Sequence, residues 1–134
     1  MKRYVVGFMF DEIYKNVALI KKERPAWQKG LLNGIGGHIE NGEMPVHAMV
    51  REFEEETGCL TDEEDWRSFL NLSGSDYRVN FYMTSGNLEK LRSVTDEEIV
   101  VRPVNDLGDV IFNLHWIIPM ALDKAVIVAN VSTN

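Results

Sequence analysis

The sequence predicts a mixed α/β domain, in which one β-sheet is covered by helices on both faces. Two observations support this prediction. Short segments rich in β-branched and aromatic residues recur along the chain, and two segments, near 45–57 and 114–128, have helical patterns. No repeat, low-complexity tract or linker divides the 134 residues. We therefore expect a single domain spanning residues 1–134, which is long enough to bury a hydrophobic core.

The strands are predicted from their composition and from the turn residues between them. Tyr4–Phe10 and Val17–Lys21 are expected to form a hairpin. Leu31–Glu40, with glycines at 34, 36 and 37, is expected to form strand, tight turn and strand, with its backbone close to another group. Leu88–Val94 is expected to be a short helix or loop, and Val131–Asn134 a loose tail. Three further strands are predicted, at Trp66–Leu72, Tyr77–Met83 and Glu98–Pro103.

Two helices are predicted. In the first, Pro45 suits the opening turn and Gly58 suits the left-handed residue just past the end. Its apolar residues recur at i, i+3, i+4 and i+7 and form one buried stripe: Val46, Met49, Val50 and Phe53. The second helix, Leu114–Val128, is apolar on most sides, and Pro119 marks either its start or a kink.

The composition excludes several classes of protein. Hydrophobic residues make up 45% of the chain and charged residues 26%, as in ordinary globular proteins. The net charge of −7 argues against non-specific nucleic-acid binding, which needs a positive surface. The single cysteine, Cys59, rules out an intrachain disulfide framework, and the apolar run Tyr4–Phe10 is too short to span a membrane. We expect a cytoplasmic protein that binds a small molecule rather than nucleic acid or a membrane.

The first predicted helix brings three glutamates together. At about 100° per residue, Glu52, Glu55 and Glu56 share a face beside the buried stripe. Carboxylates at these spacings repel one another and weaken a helix. A hard divalent cation such as Mg²⁺ reverses this cost, because it takes oxygen ligands and can also bind substrate phosphates. A solvated acidic face would explain the glutamates, but not the glycines and the arginine in register around them.

These glutamates belong to a longer pattern, Gly37-x5-Glu43-x7-Arg51-Glu52-Phe53-x-Glu55-Glu56-x-Gly58-Cys59. The pattern resembles the motif of the Nudix (MutT-like) hydrolases, the Nudix box, at every specified position. The resemblance implies an α/β/α sandwich with a mixed β-sheet, in which the box forms a loop-helix-loop. It also implies a hydrolase of phosphorus-containing acid anhydrides, which cleaves a nucleoside diphosphate linked to a further group through attack of water at phosphorus.

The resemblance also assigns residues to metal binding and catalysis. Glu52, Glu55 and Glu56, with the backbone carbonyl of Gly36, would hold Mg²⁺ (or Mn²⁺). Arg51 would orient a glutamate through a charge-assisted hydrogen bond, and we expect Glu43 to be its partner.

The general base is either a glutamate of the box, such as Glu52, or a distant glutamate in a loop before a late strand. In this chain the distant choice is Glu97 or Glu98, in the stretch Thr95-Asp-Glu-Glu98. We favour Glu98 because it borders the predicted strand, although the stretch could also be a plain acidic turn.

Residues outside the box are expected to bind the substrate. Lys22 and Arg24 belong to a basic patch before the glycine-rich segment, and they would attract phosphates. Asn33-Gly-Ile-Gly-Gly resembles the segment of hydrolases of oxidised purine nucleoside triphosphates, in which the asparagine contacts the base. That family has an acidic pair near its last helix, where this sequence has Asn113-Leu114. This difference leaves selectivity for oxidised purines open.

We expect Asn33 and Trp27 to recognise a purine or modified purine, through a hydrogen-bonding edge and a stacking surface. The alternative is that Asn33 satisfies backbone groups in a turn and Trp27 packs in the core. His38 is expected to be an exposed loop histidine, and Tyr77 a core aromatic residue.

The function we expect is a metal-dependent pyrophosphohydrolase of a nucleoside triphosphate or modified purine nucleotide. Two alternatives are a dinucleoside polyphosphate hydrolase and a non-catalytic Nudix-fold nucleotide sensor, although the complete set of glutamates argues against the sensor. An isomerase of isoprenoid diphosphates would need a catalytic cysteine, and Cys59 lies in an apolar position of the box. The sequence leaves a homodimer open.

Overall fold

The structure is a computed structural model that describes residues 1–133. In these residues one mixed sheet is formed by the strands β1 (Lys2–Phe10), β2 (Asn16–Lys21), β3 (Leu32–Asn33), β4 (Ile35–His38), β5 (Arg67–Ser73), β6 (Tyr77–Ser85), β7 (Ile99–Pro103) and β8 (Ala129–Ser132). The helices are α1 (Pro45–Thr57) and α2 (Leu114–Leu122). Short 3₁₀ helices lie at Ala26–Gln28, Glu63–Asp65 and Leu88–Lys90. None of the helices in residues 1–133 has the length and apolar character needed to cross a membrane.

The strands follow the order β3-β2-β1-β6-β5-β8, while β4 also pairs with β1 and β7 with β2. The predicted hairpin is confirmed, because β1 and β2 are antiparallel neighbours. The β1–β6 and β5–β8 pairs are parallel, which makes the sheet mixed. The first half of β1 pairs with β4, so the glycine-rich segment is built into the sheet beside its central strands.

Side chains of β1 alternate between two cores, one on each face of the sheet. Phe8 and Phe10 are fully buried in the core that contains the apolar side of α2. Val5 and Met9 lie on the opposite face, in the core that contains Phe53 of α1. This arrangement confirms the predicted mixed sheet with a helix on each face.

Helix α1 has the limits that the sequence predicts. Pro45 occupies the first turn, and Gly58 caps the end with φ of 73°, a left-handed conformation that suits glycine. Met49 and Phe53 are fully buried, and they fix the rotation of the helix against the sheet. Glu52, on the neighbouring face, is thereby turned toward Gly37 of β4.

Two predictions for the C-terminal part were wrong. The last helix ends at Leu122 rather than near Val128, and a turn follows in which Asp123 Oδ1 accepts a hydrogen bond from the Ala125 amide at 2.9 Å. Pro119 lies inside the helix. The stretch predicted as a loose tail contains the second half of β8, which pairs in parallel with β5; Asn134 lies outside the described residues. Backbone pairing with a distant strand outweighs the weak local pattern of this short segment.

Candidate active site

A cleft of about 850 Å³ opens beside the glycine-rich segment. Its lining combines carboxylates with basic, aromatic and amide side chains from separate parts of the chain. The carboxylates are those of Glu40, Glu52, Glu56 and Glu97. The cleft therefore joins the box helix to the segment that follows β2 and to the start of α2.

The glycines of β4 are required by close approach. A Cβ atom on Gly36 would lie 1.8 Å from the carbonyl oxygen of Val5, and one on Gly37 would lie 2.6 Å from the carboxyl group of Glu52. Atoms do not approach so closely, so neither position accepts a larger residue without a shift of its neighbours. The glycines allow the Glu52 carboxylate to lie directly against the β4 backbone at the edge of the cleft.

Arg51 organises the box carboxylates. Its Nε donates to Glu43 Oε2 at 2.8 Å and its Nη2 donates to Glu43 Oε1 at 2.9 Å, a bidentate pair. Its Nη1 donates to Glu52 Oε1 at 2.9 Å, and its Nη2 also donates to the His38 carbonyl at 3.0 Å. The expected contact between Arg51 and Glu43 is therefore present, and it ties α1 to the loop after β4.

Glu43→Gln is expected to remove part of the acid sensitivity of the fold. The Arg51 guanidinium lowers the pKa of Glu43 from 4.5 to about 2. A lowered pKa stabilises the folded state above pH about 4.5, and this stability is lost as the pH falls toward about 2. Urea unfolding of both proteins between pH 6 and pH 2 measures the effect. The natural protein should have the larger free energy of unfolding at pH 6, and its advantage over Glu43→Gln should shrink as the pH falls. A difference that stays constant with pH would contradict the stabilising contact of ionised Glu43 with Arg51.

The ionised forms of Glu52 and Glu56, the two carboxylates of α1 that line the cleft, are disfavoured by their surroundings. Burial raises the pKa of Glu52, and the neighbouring Glu55 and Glu56 add to the rise against the opposing Arg51. Burial also raises the pKa of Glu56, and Glu97 adds to the rise. Carboxylates that are desolvated and close to one another favour a bound cation, since its charge offsets both effects.

Glu55 is placed apart from the other box glutamates. Its side chain is 55% exposed and forms an ion pair with Arg51 Nη1 at 3.3 Å. It does not line the cleft. Within residues 1–133, no three His, Cys, Asp or Glu side chains converge closely enough to surround one ion.

The donors at the cleft nevertheless fit a hard divalent cation. Glu52 and Glu56 offer carboxylate oxygens, and Gly36, whose carbonyl the family resemblance assigns to the metal, lines the same cleft. Mg²⁺ and Mn²⁺ prefer oxygen ligands of this kind.

The structure brings Glu97 rather than Glu98 to the cleft. The side chain of Glu97 is 6% exposed, whereas Glu98 is exposed and absent from the lining. Lys22 Nζ donates to Glu97 Oε1 at 3.1 Å, and the Glu23 amide donates to Oε2 at 2.7 Å. Although burial acts in the opposite direction, these two contacts hold the pKa of Glu97 below its usual value. Catalysis by Glu98 stays a prediction that has no support from this geometry.

The residues expected to bind substrate lie at the cleft. Trp27 lines it and is 69% exposed, so it does not pack in the core. Asn33 also lines it, with Oδ1 accepting from the Gly34 amide at 2.7 Å and Nδ2 donating to Gln28 Oε1 at 3.1 Å. The turn role considered for Asn33 is thus observed, together with its place in the lining. Lys22 and Arg24 also line the cleft, and each is paired with a carboxylate, Lys22 with Glu97 and Arg24 with Asp96.

Sequence reasoning missed several lining residues. Asn113, just before α2, lines the cleft, and its buried Oδ1 has no hydrogen-bond partner among residues 1–133. In the sequence, Asn113 lies where a related group of hydrolases has an acidic pair, but this position did not predict that the side chain would line the cleft. Tyr4 and His38, whose ring centroids lie 4.5 Å apart at a tilt of 44°, also line the cleft. Tyr77, predicted to be a core aromatic residue, is half-buried and lines the cleft as well. No local pattern marks these residues, because strand pairing across the sheet brings them together.

Comparisons with known proteins identify the family of this chain. A profile of the NUDIX domain matches residues 1–129. A search among curated proteins finds no significant match.

Solved structures with the same fold include MutT from a study of Aliivibrio salmonicida and Vibrio cholerae, at 22% identity and a TM-score of 0.75, over 90% of this chain and 97% of that chain. Mutator MutT protein from Bacillus halodurans is 17% identical with a TM-score of 0.77, over 100% and 91% of the two chains. The NUDIX domain of Shewanella oneidensis NrtR, solved with ADP ribose, is 16% identical with a TM-score of 0.72, over 92% and 88%.

At these identities the structural likeness establishes the fold alone, whereas the domain profile establishes the family. The profile covers almost the whole chain and includes the box helix that lines the cleft. The chain therefore belongs to the Nudix family, as a hydrolase that acts on phosphorus-containing acid anhydrides.

Proposed function

We propose that this chain is a metal-dependent pyrophosphohydrolase that cleaves a phosphoanhydride bond of a nucleoside triphosphate or modified purine nucleotide through water attack at phosphorus. The observation that carries the proposal is a single cleft that joins carboxylates to a separate set of aromatic and amide side chains. The carboxylates suit a cation bound to phosphates, and the second set suits a nucleobase.

The charges of the substrate set the chemical problem. Phosphoanhydride oxygens repel a nucleophile and would also be repelled by Glu52 and Glu56. When bound by these glutamates and the Gly36 carbonyl, Mg²⁺ or Mn²⁺ supplies the positive charge that offsets both repulsions and activates water. Lys22 and Arg24 add positive charge at the same cleft, which favours the phosphates.

Glu52 is the general base we propose. Its carboxylate lies at the β4 edge, and burial raises its pKa, which makes it a better proton acceptor than an ordinary glutamate. Arg51 holds Glu52 Oε1, which orients the carboxylate and leaves Oε2 for a proton. Arg51 therefore acts by orientation, as the family resemblance implies.

The base would lie among the amide and aromatic side chains. Trp27 offers an exposed indole for stacking, and Asn113 Oδ1 offers an acceptor without a partner. An N–H donor on the base edge would satisfy that oxygen, whereas a base with an acceptor there would be rejected. Asn33 would shape this pocket through its bonds to Gln28 and Gly34.

Asn113→Ala is expected to raise KM for the preferred nucleotide about tenfold, since a buried acceptor loses its ligand partner. The melting temperature should stay the same or rise, because an unpaired buried carbonyl destabilises the free protein. Asn33→Ala should lower both affinity and melting temperature, since its amide bonds the turn. Steady-state kinetics and thermal unfolding measure both effects, with Asn105→Ala, exposed and outside the cleft, as the control. An unchanged KM for every base in Asn113→Ala would contradict this assignment.

The proposal extends to the setting of the protein. A single domain over residues 1–134 would act on a small nucleotide in the cytoplasm, without binding nucleic acid. The net charge of −7 and the single cysteine support this part. A homodimer is compatible with it.

A panel of nucleotides tests the proposed function. Purine and pyrimidine nucleoside triphosphates, 8-oxidised purine nucleotides, dinucleoside polyphosphates and ADP-ribose would be incubated with the protein and Mg²⁺. Release of pyrophosphate or phosphate would be scored separately. We expect release from a triphosphate, with preference for a purine or modified purine. Binding without turnover of any compound would favour a sensor, and turnover of dinucleoside polyphosphates alone would favour that alternative.

A further inference from the structure

The carboxylate of Glu97 contacts three consecutive residues of the segment that follows β2. Besides Lys22 Nζ at 3.1 Å, its carboxylate accepts the Glu23 amide at 2.7 Å and the Arg24 amide at 3.3 Å. The Arg24 guanidinium lies 3.9 Å from Oε2. With its side chain 6% exposed, the carboxylate is held on both oxygens by groups of a single segment.

That segment forms a wall of the cleft. It runs from Lys22 at the end of β2 through the 3₁₀ helix that carries Trp27 and Gln28; we call residues 22–28 the wall segment. No strand pairing holds its middle, since the β2–β3 pairs described begin at Lys21 and Leu32. The Glu97 contacts therefore anchor the first part of the wall segment, residues 22–24, whereas its last residue, Gln28, is held by Asn33 and by the Leu31 amide.

Glu97 is itself fixed to the box helix. Thr95 Oγ1 donates to Glu56 Oε2 at 3.0 Å, and the Glu97 amide donates to Thr95 Oγ1 at 3.1 Å. Asp96 adds an ion pair to Arg24. A continuous path of hydrogen bonds thus leads from Glu56 through Thr95 and Glu97 to the wall segment.

We propose that Glu97 is a positioning residue, whose buried carboxylate holds the wall segment so that Trp27 and Gln28 stand ready to receive the base of a nucleotide. This rests on the proposed function only in that the cleft binds a nucleotide. Glu97 acts through the amides of Glu23 and Arg24 and through Lys22. Because Oε2 accepts two amide bonds and Oε1 faces the Lys22 ammonium, we assign Glu97 to holding the wall segment and leave the proton of the attacking water to Glu52.

It follows that two neighbouring carboxylates, Glu56 and Glu97, have different roles. Glu56 faces the reacting phosphates together with Glu52, whereas Glu97 fixes the distance between those carboxylates and the base pocket. Loss of Glu97 should therefore weaken nucleotide binding and leave the rate of the bound substrate nearly intact. Loss of a base or metal ligand should do the reverse.

Glu97→Gln and Glu97→Ala separate these roles. Glutamine keeps an oxygen for the amides of Glu23 and Arg24 but loses the charge that binds Lys22, whereas alanine removes every contact. The control is Glu89→Gln, an exposed glutamate with the same charge change outside the cleft. Three measurements apply: hydrogen exchange of the wall segment, the Kd of GMP in the presence of a chelator, and kcat and KM with Mg²⁺. Circular dichroism checks that each variant is folded.

We expect graded effects. Exchange of the wall segment and the Kd for GMP should rise about tenfold in Glu97→Ala and about threefold in Glu97→Gln, because bonds to a charged group are the stronger ones. KM should follow Kd, and kcat should stay within about threefold. If Glu97→Ala does not fold, the Glu97→Gln variant alone decides between the two roles.

A fall in kcat of about a hundredfold in Glu97→Gln, with unchanged KM and unchanged exchange, would overturn the proposal and place Glu97 at the reacting atoms. Unchanged exchange and unchanged GMP affinity in Glu97→Ala would also overturn it. Both of these readouts work without turnover. A failure of the proposed hydrolase function would therefore appear in the nucleotide panel and not in them.

Discussion

Glu56→Gln is expected to lower kcat by about a thousandfold or more while the protein stays folded. Glu56 lines the cleft beside Glu52, and the amide that replaces it cannot bring a negative charge to a cation. Steady-state hydrolysis with Mg²⁺ measures the loss. Glu52→Gln should lose as much, since it removes both a ligand and the proposed base. Glu55→Gln should lose less, because Glu55 is 55% exposed and lies outside the cleft.

The stability of Glu56→Gln should move in the opposite direction from its activity. Burial raises the pKa of Glu56, so ionised Glu56 destabilises the folded state at neutral pH. The variant should therefore unfold at the same temperature as the natural protein or at a higher one, and its advantage should fade as the pH falls and Glu56 itself becomes protonated. Glu54→Gln, on the exposed face of α1, is the control and should change neither property. Glu56→Gln with full turnover would contradict the assigned role.

Metal binding is the second large effect. Calorimetric titration with Mg²⁺ or Mn²⁺ should show a site in the natural protein, and Glu52→Gln should weaken it by about tenfold or more. Binding should also raise the melting temperature, because a ligand that prefers the folded state stabilises it. Glu54→Gln should bind as the natural protein does. If titration shows no site, the carboxylates of α1 form only a solvated face.

Local sequence signals predicted the parts of the fold that depend on local physics. Pro45 and Gly58 mark the limits of α1, since one lacks an amide hydrogen and the other takes a left-handed conformation. The hairpin of β1 and β2 followed from composition and a short connection. The contact of Arg51 with Glu43 followed from the family motif.

The features that the sequence did not predict depend on distant pairing. β8 is short and becomes a strand because Asn71 of β5 pairs with Asn130, whose side chains also bond at 3.1 Å. Glu97 rather than Glu98 lies at the cleft because its side chain turns toward Lys22. Side chains of adjacent residues in extended backbone point in opposite directions, so a shift of one residue decides which glutamate enters the cleft. Asn113 gains its place in the cleft because α2 packs over the sheet face that holds Phe8. The sequence indicates the position of Asn113 near the last helix, but not that its side-chain oxygen is buried without a partner in residues 1–133.

Hydrolysis of a nucleoside triphosphate in ¹⁸O-labelled water, by the chelator-treated protein before and after addition of Mg²⁺, tests the central claim most directly. The proposal predicts no turnover above background until the metal is added, and then one ¹⁸O atom in one of the two phosphate-containing products of each cleavage. It predicts the same absence of turnover for Glu56→Gln with the metal present. Turnover that persists in the metal-free protein, or products without the label, would contradict a metal-dependent attack of water at phosphorus.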